Sequence, residues 1–438
     1  MTKPDRRTAP EVSVPGNLIM PPVESLILAN GARLACYSGG DADVNSLTVA
    51  IGGGTAEEEV AGLTSLTNAV AVDGTAAMTS EEIAEVLDFN GSWTSGNVGL
   101  HRSTRHFFSL NSRFDDVLPV IADIIESPVF PDHESAVGCE KSARQAELER
   151  EKERFYSDNE VNRLLKGRRS RSARVAEPDE LRALTADDLR RAYRRAFNPL
   201  NMTVYLSGRL TPHIVDAVAS RFEAMKAHGE GVGPAASDFK ADGKPRRVDI
   251  PRPGALQSAI SAGIATPVGR RDDDYEMLRI AVVALGGYFG SRLMLNIRED
   301  KGYTYGIGAS LMGYPDESFL RISTQCDNRY ADSVIDEIRA ELLRLQSPDS
   351  FNADEIERLR SFVTTLLTAE LDSPFAIMNH HAVLDDVGAP ADYFARQQRA
   401  LASMTPESLA GMARRYLSPE NLYIAVAGDI RKQPVNVV

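Results

Sequence analysis

The first apolar segments of the chain are short and strand-like. Leu26, Ile27 and Leu28 run into Asn30 and Gly31, and Arg33, Leu34, Ala35, Cys36 and Tyr37 follow. Two such runs flanking Asn-Gly predict a hairpin, because the type I′ turn that Asn-Gly favours matches the twist of paired strands. Leu47, Thr48, Val49, Ala50 and Ile51 predict a further strand, expected to pair next, and Gly52, Gly53 and Gly54 let the chain turn out of it. No Gly-Lys-Ser/Thr follows those glycines, which argues against a phosphate loop. Further on, Thr79 to Ala84 reads TSEEIA, an N-cap followed by early acids and hence a helix start.

The same pattern occurs twice. The stretch from Thr185, TADDLRRAYRRAFNPLNMTVYLSG, lies without a gap over that from Thr405, TPESLAGMARRYLSPENLYIAVAG. The identical pairs are Thr185/Thr405, Leu189/Leu409, Arg194/Arg414, Arg195/Arg415, Pro199/Pro419, Asn201/Asn421 and Gly208/Gly428. Each copy predicts a threonine-capped amphipathic helix, a Pro-x-Asn turn and a β-branched strand ending in glycine. Upstream, the stretch from Phe114 to the FPDHE at Phe130 matches that from Tyr330 to the FNADE at Phe351 at a similar offset. A repeat this long is a duplicated domain and not a solenoid. The expected fold class is therefore α+β: two homologous halves, each a mostly antiparallel sheet with flanking helices. Residues 226–254, rich in Gly, Ala, Pro and charge, mark the connection. The expected division is an extension over 1–22, a first domain over 23–228, a linker over 229–250 and a second domain over 251–438.

Composition narrows the partners. Lys+Arg is 49 against Asp+Glu 62, a net charge of -13, so no attraction to phosphate backbones is expected and nucleic acid is not an expected partner. Cys36, Cys139 and Cys326 are far apart, suggesting neither a disulfide framework nor a thiolate zinc site. The N-terminal segment is charged and then proline-rich, without a secretory apolar core. No apolar run approaches the roughly 18 residues of a membrane span. A cytoplasmic protein with no membrane partner is expected.

The order of hairpin, strand, glycine and helix, with the duplication, resembles the inverted zinc peptidases of the M16 family, which includes pitrilysin and the mitochondrial processing peptidases. The resemblance covers essentially the whole chain and implies the LuxS/MPP-like metallohydrolase fold. Gly62 to Thr75 resembles the family's zinc helix with its closing Gly-Thr turn, and Leu87 to Ser92 its next turn. The family motif is His-x-x-Glu-His, in which two histidines on one helix face bind zinc and the glutamate is the general base. Here those positions hold Ser65, Asn68 and Ala69. Alanine coordinates nothing, a neutral serine is a poor zinc ligand, and an amide accepts no proton at neutral pH, so no catalytic residue and no metal site is expected in this chain. The family's third ligand falls near Glu147, read here as a surface or ion-paired residue. Among the histidines, His101 and His106 are expected to leave opposite strand faces, and the adjacent His380 and His381 to diverge. After Gly91 and Ser92 the family has an edge strand that accepts substrate. Trp93, Thr94, Ser95, Gly96 and Asn97 follow here, which argues against strand-type substrate binding in this half.

In the second half, Arg298 and Tyr305 match the family's C-terminal Arg/Tyr signature, with Gly302 between them allowing a left-handed reversal. The resemblance implies that both side chains bind substrate opposite a zinc held elsewhere. On the residues alone, Arg298 equally complements a helix C-terminus and Tyr305 equally fills a core. The stretch 286–290 resembles, in reduced form, the glycine-rich loop of non-catalytic processing subunits, or simply supplies flexibility. The resemblance thus implies a non-catalytic, substrate-binding subunit of a heterodimeric zinc endopeptidase. Zinc and the intact His-x-x-Glu-His belong to the partner, and the substrate is a peptide. The alternative is a structural or peptide-binding assembly protein of the same fold with no part in proteolysis.

Overall fold

The computed structural model describes residues 18–429. Most of the expected extension, 1–17, and the last residues, 430–438, lie outside the described residues. The first half builds a six-stranded sheet from β1 (Glu24–Ile27), β2 (Arg33–Ser38), β3 (Val44–Gly52), β4 (Trp93–Val98), β5 (Arg102–Leu110) and β6 (Thr203–Gly208), in the order β1-β2-β6-β3-β5-β4. The second half builds a five-stranded sheet from β7 (Arg247–Pro251), β8 (Gln257–Thr266), β9 (Thr304–Gly313), β10 (Ser318–Asp327) and β11 (Tyr423–Gly428), in the order β7-β11-β8-β10-β9. Each sheet is antiparallel except for one parallel pair, β2 with β6 and β11 with β7. The fold is α+β in two halves.

Two expectations change. The hairpin forms, but β3 does not pair with β2, because β6, supplied by the first copy of the repeat, lies between them and pairs with both. In addition, β7 begins at Arg247, inside the stretch expected to be linker, where pairing with β11 draws the chain into the sheet.

The repeat is realised as local structure. Thr185 and Thr405 each cap their helix through a reciprocal capping box, and Pro199 and Pro419 each open a single 3₁₀ turn into the strand. The strands that follow, β6 and β11, are buried along their whole length. Burial on both faces requires a cover on each side of the sheet. One cover comes from the half's own helices, and the other comes from the opposite half. The helix Glu153–Lys166 places Val161, Leu164 and Leu165 against Phe319, Tyr423 and Ala425 of the second sheet. In return, the helix Pro374–Asp386 places Met378 against Ala35, Ala50 and Tyr205 of the first. The halves are thus mutually clasped by exchanged helices that start at equivalent points of the repeat.

Polar contacts pin both crossings. Asp385 accepts from Arg33 and from the Tyr205 hydroxyl (3.1 Å), while Asp158 accepts from Arg321 (3.1 Å) and from the Ser261 hydroxyl (2.5 Å).

Candidate functional site

The helix Leu63–Val70 carries the three motif positions. Ser65 and Ala69, four residues apart, both face outward and are exposed, whereas Asn68 is buried. The inward turn of Asn68 has a structural use. Its Nδ2 donates to the carbonyls of Asn97 (3.2 Å) and Thr104 (3.0 Å), and its Oδ1 accepts from Nη2 of Arg105 (2.7 Å), which also reaches the main-chain carbonyl of Asn68. Asn68 therefore ties the helix to β4 and β5, and no polar atom of its amide remains for a metal or a water.

Arg105 is a residue that sequence reasoning missed. On β5 it shares the inward face with Ser103, Phe107 and Ser109, and in the polar stretch Arg102 to His106 nothing in the sequence singles it out. Burial pulls its guanidinium down to about 10, against the opposing influence of Tyr193 and Asp73. Gly96 on β4 makes room for it, since a Cβ there would stand 3.0 Å from the guanidinium carbon and 2.8 Å from Asn68 Oδ1. The cavity beside this cluster, lined by Val49, Leu63, Thr67, Ile124 and Tyr193 with Arg105, measures about 80 Å³, the volume of a few water molecules.

Glu147 forms an ion pair with Arg182 (2.7 Å), which also binds Glu140 (3.0 Å). His101 pairs with Glu57 (2.6 Å), and His106 lies beside the Thr48 hydroxyl (2.8 Å). His380 faces Glu370 (2.8 Å) and His381 faces Asp385 (3.5 Å). Among the described residues no group of three or more His, Cys, Asp or Glu stands where it could hold a metal. A methyl group, a hydroxyl and an amide whose donors and acceptor are all used do not fit a zinc site.

An edge strand follows Gly91 and Ser92. Trp93–Val98 forms β4, antiparallel to β5, and Trp93 stacks on Phe108 with ring centroids 4.2 Å apart. This cross-strand pair outweighs the weak strand preference of Ser95, Gly96 and Asn97.

In the second half, Arg298 and Tyr305 come together. Arg298 lies on a π-helical turn, Met294–Asp300, whose widened hydrogen bonds include Lys301 N–H to Asn296 O (3.1 Å). The buried Asn296 fixes this turn by donating to Glu341 (2.6 Å) and Glu337 (2.9 Å). Gly302 then takes φ +64°, the left-handed reversal expected, and the chain enters β9 with Tyr305 as its second residue. The Arg298 guanidinium carbon lies 5.8 Å from the Tyr305 ring centroid and 4.6 Å from that of Phe289, and Nη1 contacts Glu299 (3.1 Å). Tyr305 is 92% exposed, which rules out the core role left open by the sequence.

The stretch 286–290 is packed and not loose. A Cβ on Gly286 would stand 2.6 Å from that of Ala309, and Tyr288 stacks on Phe362 (4.8 Å).

Comparison with known proteins bears on the fold and on what the chain resembles. Residues 183–362 match the family model described as the peptidase M16 inactive domain. YmxG of Bacillus subtilis, named an uncharacterized zinc protease, is 22% identical over 359 residues, covering 80% of this chain and 85% of that protein. The crystal structure of a peptidase M16 inactive domain from Pseudomonas fluorescens superposes with a TM-score of 0.83 at 19% identity, covering 94% of this chain and 98% of that one. A protease from Helicobacter pylori gives 0.82 at 15% identity, covering 95% and 100%. The two structures speak for the fold alone, and the family model and the curated relative show that the chain is similar to M16 peptidases, the model over residues 183–362.

Proposed function

We propose that this chain is the non-catalytic, substrate-binding subunit of a heterodimeric M16-type zinc endopeptidase. The partner subunit carries His-x-x-Glu-His and the zinc, and Arg298 and Tyr305 of this chain face it across the substrate. One observation carries the reading: an arginine on the π-helical turn and a tyrosine at the start of β9 come together, and the tyrosine stays 92% exposed with no packing reason to do so. Both are hydrogen-bond donors, a planar guanidinium fork and a phenolic O–H. Aimed at a peptide carbonyl, they orient the substrate backbone and stabilise negative charge developing on its oxygen. The motif helix supports the same division of labour, because Ser65 and Ala69 offer no ligand and Asn68 is bound into the scaffold. The relative named a zinc protease and the neighbour described as an inactive domain are consistent with a family that holds both kinds of chain.

The test is reconstitution. The chain is assayed on a quenched-fluorescence peptide alone and mixed with an M16 protein that carries the intact motif. The expected result is hydrolysis only in the mixture, with Tyr305→Phe lowering turnover by about 10²-fold, as for loss of one oxyanion donor, while assembly is unchanged. Chelator-sensitive hydrolysis by this chain alone refutes the proposal. Unchanged kinetics in Arg298→Ala and Tyr305→Phe would leave assembly as the chain's only role.

A further inference from the structure

Of the two aromatic rings beside the Arg298 guanidinium, the nearer belongs to Phe289, a residue so far without a role. Phe289 is 62% exposed, yet the segment carrying it is held firmly, with Gly286 pressed against Ala309 and Tyr288 stacked on Phe362. A ring projecting from so fixed a turn keeps its position. The Arg298 guanidinium carbon lies over it at 4.6 Å, nearer than the 5.8 Å to Tyr305.

We infer that Phe289 is a positioning residue, which holds the Arg298 guanidinium flat against its ring so that the in-plane N–H groups meet the peptide. Arginine has several soft torsions and loses freedom whenever it binds; stacking on an aromatic face removes part of that freedom beforehand. Stacking occupies the flat faces of a guanidinium and leaves its edge open. Glu299 takes Nη1 at 3.1 Å, so Nη2 and Nε remain for the ligand. A single oxygen-bearing group suits them: a backbone carbonyl or a carboxylate of an extended peptide. The clamp is a property of this chain, and its use in binding rests on the reading above.

The clamp is tested in the full-length chain labelled with [15N]arginine, with Arg298→Lys identifying the Arg298 Nε–H resonance. Ring current from Phe289 should displace that resonance upfield, Phe289→Leu should return it to the bulk arginine position, and Phe289→Tyr should keep it displaced. A resonance unmoved by Phe289→Leu overturns the inference, whatever happens with peptides. Binding is then measured by the anisotropy of a fluorescein-labelled, unstructured 20-residue peptide. Phe289→Leu should weaken it about three- to fivefold, the scale of an exposed cation–π contact, and Phe289→Tyr should bind as wild type. Equal affinity in Phe289→Leu and wild type overturns the positioning role. If wild type and Arg298→Ala bind the peptide equally, the proposed function fails instead, and the resonance still decides the clamp.

Discussion

Replacing Asn68 with alanine removes three hydrogen bonds at once: two donated to the carbonyls of Asn97 and Thr104, and one accepted from Arg105. A net value of about 1 kcal/mol for each gives a loss of about 3 kcal/mol. The true cost should not fall far below this, because Arg105 is 8% exposed and, among the described residues, keeps only the main-chain carbonyl of residue 68 as acceptor. Asn68→Asp is the informative partner variant. It keeps an acceptor for Arg105 and adds a charge, but it sets a second carboxylate oxygen against two carbonyls that have lost their donor. A smaller loss, of about 1 kcal/mol, is expected. The assay is equilibrium urea unfolding followed by fluorescence of Trp93, the chain's single tryptophan, which sits on β4 near Asn97 and so reports on the first half. An alanine variant within about 0.5 kcal/mol of wild type, less than one ordinary hydrogen bond, would refute the claim that Asn68 is a structural residue.

Lys166, buried among Phe239, Tyr314 and Phe319, is pulled down to about 8 by burial and by Arg321. The unfolded chain then binds more protons than the folded one between about pH 8 and 10.5, so stability should rise with pH across that window by about 3 kcal/mol. Lys166→Met should flatten the rise in urea midpoints measured at pH 7.5 and 10, and an equal slope in both proteins counts against the burial account. Leu164→Ala empties a fully buried position in the first exchanged helix and should cost about 2–5 kcal/mol while speeding proteolysis within 226–246; an unchanged cleavage rate would show that the crossing does not clasp the halves. The Cys36 thiol is pushed up to about 11 by burial and by Glu24. Its alkylation by iodoacetamide at pH 8 should be roughly two hundred times slower than in the unfolded chain, rising about tenfold per pH unit toward pH 10, and fast labelling at pH 7 would contradict this.

What the sequence disclosed was local or repeated. The capped helices at Thr185 and Thr405, their turns and their strands depend on neighbours within a few residues, and so does the Asn30-Gly31 hairpin. What it hid was decided by distant partners. No pattern in Leu47 to Ile51 says that β6, about 150 residues later, will separate it from the hairpin. The apolar face of Glu153–Lys166 announces burial but not that the covering sheet belongs to the other half. Trp93 to Val98 has poor strand composition and is held as a strand by Phe108. Arg298 and Tyr305 were singled out by the resemblance of their stretch to a family signature and not by spacing alone, whereas Phe289 was not, because its contact depends on a π-helical turn that single-sequence periodicity does not anticipate.

The two candidate sites differ in what holds them. In the first half the critical side chain has turned inward: Asn68 is satisfied by three partners of its own chain, and the outward positions Ser65 and Ala69 carry no group able to coordinate a metal. That site is energetically closed, and nothing from outside is needed to complete it. In the second half the scaffold is equally firm, through Asn296, Glu337 and Glu341 beneath and the packed turn at Gly286 beside it, yet it presents Tyr305, Phe289 and the edge of Arg298 to solvent. Rigid support beneath exposed donors fixes their geometry before any ligand arrives, which lowers the entropic cost of binding one. On the proposed function, this asymmetry is what a site that meets its ligand from outside requires, whereas the first half needs only its own chain.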